Sequence, residues 1–332
     1  MTSTERIAYN CVRRGLARTR AEISKEIGVS RPTASTVADS LIASGLLCEG
    51  GKWRSSGGRN PTLLLVRNDA FSLVGMDLGF RDRVSGAWVD AAGKIIRSSE
   101  IMMMPDSPER AAEAISRLWE RLDPDCSACG IGLALPGKFD PESGIVSHCD
   151  LPAFGGSDLI KLLRKRFVGK FFHAMPRHHA AAVSESFGGV ADRKKNFLLL
   201  SLEDELEAVL YLDGHCVVGE HGDAGDLRSI PAAAYQGTEV MTLGEAFSRE
   251  VLQKINPPPD QLATVCACGL RHVLSIVDPG FVVLTGRFRD FDEDFMPLLE
   301  RRLARFGCGV KLAAFGRYST SRGAALQAHI GV

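Results

Sequence analysis

Three groups of residues in this chain could do chemistry. The first is a short polar set, Arg31, Thr33, Ser35, Thr36 and Asp39, followed by Lys52, Arg54 and Arg59 among glycines. Short polar side chains with a lone Arg let a helix lie close to base edges in a major groove. Cations on a glycine-rich tip suit phosphates or the narrow minor groove. The second group is His148, His173, Arg177, His178 and His179. Together they could form a pocket for an anion or carboxylate, or they could be separate hydrogen-bonded structural histidines. The third is Cys266-Ala267-Cys268-Gly269. Its two thiols fall in a predicted helix at i and i+2, so they point to different faces and read as core thiols. No other Cys or His pair has metal spacing, and no metal is expected.

The first group needs a scaffold. Thr19 reads as an N-cap, with Glu22 as its capping-box partner. Gly28 ends that helix, where a positive φ is needed. Ser30 caps a second helix, and Pro32 fits its first turn. Ala34, Val37, Ala38, Leu41 and Ile42 form its buried stripe, leaving Arg31, Thr33, Ser35, Thr36 and Asp39 outward. Arg20 is grouped with these as a DNA contact. A strand from Leu46 and a return over Leu63–Val66 place Lys52, Arg54 and Arg59 at a wing tip. With a first helix near Glu5–Arg14, this is a winged helix-turn-helix, although a helical hairpin serving only as a protein contact would share part of the pattern.

Charge agrees. Net charge over 332 residues is zero, yet residues 1–67 carry 11 Lys and Arg against 5 Asp and Glu. The remainder carries 29 against 35. A basic head on an acidic body points to an anionic polymer at the head. The start, Thr2 to Arg6, has no apolar signal core, and no apolar run nears the roughly 20 residues of a membrane span. Nine scattered cysteines suit reduced thiols. A cytoplasmic protein is expected.

After a junction at Arg67-Asn68-Asp69, strands are expected at Ser72–Gly79, Arg83–Asp90 and Lys94–Ile101, and a helix at Pro108–Leu122. The strands Ala128–Leu135 and Lys170–His173 and the helix His178–Phe187 follow. The pattern then restarts with Phe197–Leu202, Leu206–Asp213 and His215–Val218. Helices are expected near Leu243–Lys254, Pro259–Val277, Asp292–Phe306 and Thr320–Ala328, with strands Phe281–Leu284 and Val310–Ala314 between them. Three strands then mixed α/β, twice over, predicts a duplicated α/β fold with a cleft between lobes.

Several motifs carry a family resemblance. They are Ser55–Pro61, Val74–Gly79, Gly130–Val146, Asp150–Phe154, Gly219–Leu227, Asp278–Gly286 and the terminal Arg-Gly-Ala-Ala-Leu-Gln-Ala. With them the chain resembles the ROK family of repressors, open reading frames and sugar kinases over nearly all its length. The resemblance implies a winged helix-turn-helix domain over 1–67 and a two-lobe actin-like ATPase (ribonuclease H-like) fold. The first lobe would be 68–190, completed by the helix 319–332, and the second 191–318.

Against the family's kinases the chain departs at the chemistry. Where they carry the general base stands Arg177, which has five donors and no acceptor. Where they place a glycine-rich phosphate loop stands Glu203-Asp204-Glu205-Leu206-Glu207. Only Asp77-Leu78-Gly79 remains of the first phosphate loop. The family's zinc cluster should follow Gly225-Asp226, but that stretch lacks His and Cys. Positions matching sugar contacts hold Asp150, Arg177 and Asp226, and with His178 these are the expected effector-binding residues. The expectation is a non-catalytic DNA-binding regulator, a repressor, without a cofactor. It would be a homodimer or higher homo-oligomer on a double-stranded operator, with a sugar-derived effector, an anionic one favoured over a neutral one. The alternative is an active sugar kinase with an accessory DNA-binding domain. A scaffold controlled by protein partners is a third reading.

Overall fold

The structure, a computed structural model, describes residues 1–52, 61–79, 82–103, 106–140, 145–147, 159–203, 205–220, 222, 224–232 and 241–330.

Three capped helices open the chain: α1 (Ser3–Arg13), α2 (Arg20–Ile27) and α3 (Arg31–Ala43). Thr2, Thr19 and Ser30 each accept the backbone N–H three residues on, which satisfies a donor left over at the helix start. The box expected at Thr19 is only half formed. Glu22 Oε2 accepts instead from Arg18 N at 2.6 Å, one residue before the cap. Gly28 closes α2 at φ 71°, as a left-handed cap requires. Ala34, Val37, Ala38 and Leu41 of α3 are buried against Ala8, Tyr9, Val12 and Ile23, and Ile42 lies half-buried at the margin. Strands β1 (Leu47–Lys52) and β2 (Thr62–Val66) pair antiparallel, Leu47 opposite Val66. Their Leu47 and Leu64 close the same core.

The body holds two five-stranded sheets of one plan. In the first, β3 (Ser72–Asp77), β4 (Arg83–Asp90) and β5 (Ile95–Met102) form an antiparallel meander. Helix α4 (Pro108–Leu122) leads to β6 (Gly130–Leu135), parallel to β3. A small hairpin follows, β7 (Lys138–Asp140) and β8 (Ile145–Ser147). Helix α5 (Leu159–Arg166) precedes β9 (Phe171–Pro176), parallel to β6, and α6 (Arg177–Ser186). The order is β5-β4-β3-β6-β9.

In the second, β10 (Phe197–Leu202), β11 (Leu206–Leu212) and β12 (His215–Cys216) are antiparallel. Helices α7 (Leu243–Ala246) and α8 (Pro259–Val277) precede β13 (Phe281–Gly286), and α9 (Phe295–Ala304) precedes β14 (Gly309–Leu312). The order is β12-β11-β10-β13-β14, with β13 parallel to β10 and β14 parallel to β13. The expected duplication is therefore present. Central strands β6 and β10 are buried at every residue, which is why their sequences run apolar without alternation.

Helix α10 (Ser319–Ile330) returns to the first sheet. Glycine makes its approach possible. A Cβ on Gly75 would stand 1.8 Å from Ser321 O, and one on Gly132 would stand 1.9 Å from Ala324 O. The helix backbone therefore lies directly on β3 and β6.

One expectation needs correcting, and one element is new. The helix expected over Leu243–Lys254 breaks after Ala246 and resumes as a π-helical turn, Val251–Ile255. Ser248 Oγ accepts from Val251 N at 3.3 Å, a local bond that competes with the α-helical ladder. The β7–β8 hairpin was not anticipated, because three-residue strands are too short for a periodic signal.

Candidate functional site

The parallel strands β3 and β9 end at the same edge of the first sheet, where open α/β sheets present their loops. Asp77 is the last residue of β3, and Arg177 follows the last residue of β9. Arg177 Nε donates to Asp77 Oδ1 at 2.8 Å and Nη2 to Oδ2 at 3.1 Å. This is a two-point pair between buried groups. Asp77 Oδ1 also accepts from Gly79 N at 2.9 Å. The arginine stem lies on the turn so closely that a Cβ at Gly79 would stand 1.8 Å from Arg177 Cδ.

The second sheet adds two carboxylates. Glu203 Oε1 is 3.6 Å and Glu207 Oε2 is 3.9 Å from the Arg177 guanidinium. His178 Nδ1 is 3.8 Å from Glu207 Oε1, at ion-pair range but too long for a hydrogen bond. Burial disfavours the charge on Arg177. Asp77 first, then Glu203 and Glu207, outweigh burial and hold its pKa above the ordinary value. Burial pushes the Glu203 carboxyl up, against the pull of Arg177. His179 is buried, and its pKa is pushed down to about 3 by burial and then by His178.

A permanently protonated guanidinium cannot take a proton from a hydroxyl. Its two-donor edge is turned to Asp77. The arrangement therefore ties the first sheet to the second across their gap with one cation and three carboxylates.

The residues expected to bind an effector do not all meet. Arg177 and His178 converge on Glu207. Asp226 instead accepts from Arg228, at 3.0 Å from Nε and 2.9 Å from Nη2, and Arg228 reaches Glu205 at 2.8 Å. Asp150 lies outside the described residues. Sequence reasoning missed Asp77 as the partner of Arg177. The signal was the placement of both at ends of strands that prove to be parallel.

The outer face of α3 presents Arg31, Thr33 and Thr36 to solvent, and Ser35 is half-buried. Thr33 Oγ1 lies 2.7 Å from Ser30 Oγ, and Thr36 Oγ1 donates to Pro32 O at 3.2 Å. Arg20 pairs with Asp39 of α3 at 2.5 Å and Glu49 of β1 at 2.9 Å, joining three elements. Lys52 ends β1, and Arg54 and Arg59 fall outside the described residues. Cys266 is buried in α8 and Cys268 half-buried, on different faces as expected. Among the described residues no three His, Cys, Asp or Glu side chains converge as a metal site, and no helix is long and apolar enough to cross a membrane.

Comparison with known proteins gives consistent matches. The ROK family model matches residues 73–275. The xylose repressor of Bacillus spizizenii is 25% identical over 213 residues, 63% of this chain and 55% of that protein. The chain thus spans about half the length of the curated relatives it matches. Among solved structures, a ROK family transcriptional regulator, a homolog of the E. coli MLC protein, superposes with a TM-score of 0.76 at 18% identity. That match covers 98% of this chain and 95% of the other. A ROK hexokinase from Thermus thermophilus superposes with a TM-score of 0.65 at 22% identity, covering 79% of this chain and 99% of its own.

Proposed function

The chain belongs to the ROK family, and from that premise we propose that it is a DNA-binding transcription repressor whose kinase-like body transfers no phosphate. The observation that carries the reading is the N-terminal unit. Three capped helices and a β-hairpin share one core, and α3 turns Arg31, Thr33 and Thr36 outward. We read it as a winged helix-turn-helix over 1–67, with α3 in the major groove and Lys52, Arg54 and Arg59 on the wing. The match to a transcriptional regulator over 98% of the chain supports this, as do the repressor names of the relatives.

The Asp77–Arg177 pair supports the loss of catalysis. The base position holds a cation, and that cation lies over the turn left from the first phosphate loop. The body then serves dimerisation and effector response. The names of the relatives favour a carbohydrate-derived effector. A homodimer in the cytoplasm would set two copies of α3 about 34 Å apart, one helical turn of DNA.

Selection from a random DNA pool tests the reading. Enrichment of a site with two related halves is expected. Failure to enrich any sequence, or ATP-dependent phosphorylation of a sugar by the wild type, overturns it.

A further inference from the structure

A cavity of about 640 Å³ lies between α1, α6 and the β11–β12 hairpin, and Pro176 and His178, the neighbours of Arg177, are part of its lining. On α6, steps of about 100° per residue put His179, Val183 and Ser186 on the face opposite Arg177, and Phe187 follows at the helix end. All four line this cavity. It touches the N-terminal helices and both sheets, and its volume falls in the range of small-molecule sites.

Helix α1 contributes Ile7, Asn10, Cys11 and Arg14. The Oδ1 of Asn10 is buried and has no hydrogen-bond partner among the described residues. Such an acceptor costs stability until a donor reaches it. One turn further along the same face is Arg14. Its guanidinium donates to Tyr211 Oη and to Gly214 O at 3.2 Å, and among the described residues neither of these partners is a carboxylate. A half-buried cation held by neutral oxygens has its anion place open. The wall also carries Arg193, Lys194 and Lys195 against the carboxylates Glu26 and Asp213, and Glu26 takes Lys195 at 3.6 Å. The lining also carries the apolar or aromatic side chains of Ile7, Val183, Phe187 and Tyr211.

We propose that this junction cavity binds a small amphiphilic organic anion with an apolar, preferably aromatic body. Its carboxylate meets Arg14 and a hydroxyl donates to Asn10 Oδ1, roughly 6 Å apart along α1 by helix rise. Because His178 lines the same cavity, the ligand borders the Arg177 cluster as well as α1. Its placement bears on α1 directly. The neighbouring Arg13 donates from Nε to Ala91 O at 2.9 Å and from Nη1 to Leu326 O at 3.3 Å, both on the first-sheet side. Arg14 holds the second-sheet side. A carboxylate that draws Arg14 from Tyr211 and Gly214 loosens a hold of the second-sheet side on α1.

That the ligand acts as an effector rests on the repressor reading, so the site is tested on the full chain without DNA. Titration calorimetry uses 4-hydroxyphenylacetate, with phenylacetate and 4-hydroxyphenylacetamide as controls. The hydroxy acid is expected to bind saturably, and removing its hydroxyl or its charge to weaken binding roughly tenfold each. Asn10→Leu should erase the preference for the hydroxyl and Arg14→Gln the preference for the acid. Circular dichroism and melting confirm that both variants fold. No saturable binding of 4-hydroxyphenylacetate by the folded wild type overturns the site, as does binding that both variants leave unchanged.

Discussion

Asp77 and Arg177, a hundred residues apart in the chain, meet in a two-point ion pair at 2.8 and 3.1 Å, with the arginine stem lying on Gly79. The pair occupies the edge of the first sheet where its parallel strands end. Glu203 and Glu207 of the second sheet close on the same cation.

Removing one partner should be costly. Arg177→Ala leaves Asp77 buried without its cation, a loss of about 3–5 kcal/mol for a broken buried pair. A melting temperature lower by several degrees is expected, with partial recovery when Asp77→Ala is added. An unchanged melting temperature for Arg177→Ala would show the pair to be unimportant.

Restoring a carboxylate should not restore phosphoryl transfer. Arg177→Asp supplies a carboxylate, but on the proposed reading the acidic stretch Glu203–Glu207 still replaces the phosphate-binding glycines of the kinases. The variant is expected to show no hexose-dependent ATP consumption in a coupled assay. Turnover above that of the wild type would refute the account.

On the proposed DNA face, Arg31→Ala should weaken binding to all sequences and shorten the log–log salt slope by about one. Arg54→Ala with Arg59→Ala should act in the same direction through the wing. Thr33→Ala or Ser35→Ala should shift sequence preference more than affinity. Selection that returns the wild-type site for both of the latter would contradict the assignment. Arg20→Ala is expected to act through its pairs with Asp39 and Glu49, lowering stability by at most about 1 kcal/mol because the pairs are part-exposed.

Acid should destabilise the fold through His179. Its folded pKa of about 3 lies below the ordinary value of 6.5, so the unfolded state binds the extra proton between those values. Stability from this residue is complete above pH 6.5 and falls as pH drops toward 3. The loss by pH 5 is up to about 2 kcal/mol. Urea unfolding at pH 7.5 and 5 should show it, and His179→Gln should flatten the difference. An equal acid loss in the variant would assign the effect elsewhere.

Legibility in the sequence followed the range of each interaction. Thr19, Ser30 and Gly28 announce helix ends through bonds a few residues long, and α4, α8, β4 and β10 fall on their expected bounds. The partner of Arg177 depended on strand order, which spacing cannot supply. Asp226 was expected beside Arg177, yet Arg228 lies two residues away and claims it. Neither the Asn10 Oδ1, without a partner among the described residues, nor the cavity beside it left a periodic trace, since both arise where separate elements meet.

The seat of α10 also fixes an order in time. Gly75 and Gly132 leave a slot in the first sheet that this helix fills, and the helix supplies Leu326 O, which holds Arg13 from 313 residues away. At roughly 5–20 residues per second of synthesis, that acceptor leaves the ribosome tens of seconds after α1 does. Through that interval the N-terminal helices stand as a folded head on an unfinished body. Their final orientation is one of the last features a newborn chain acquires.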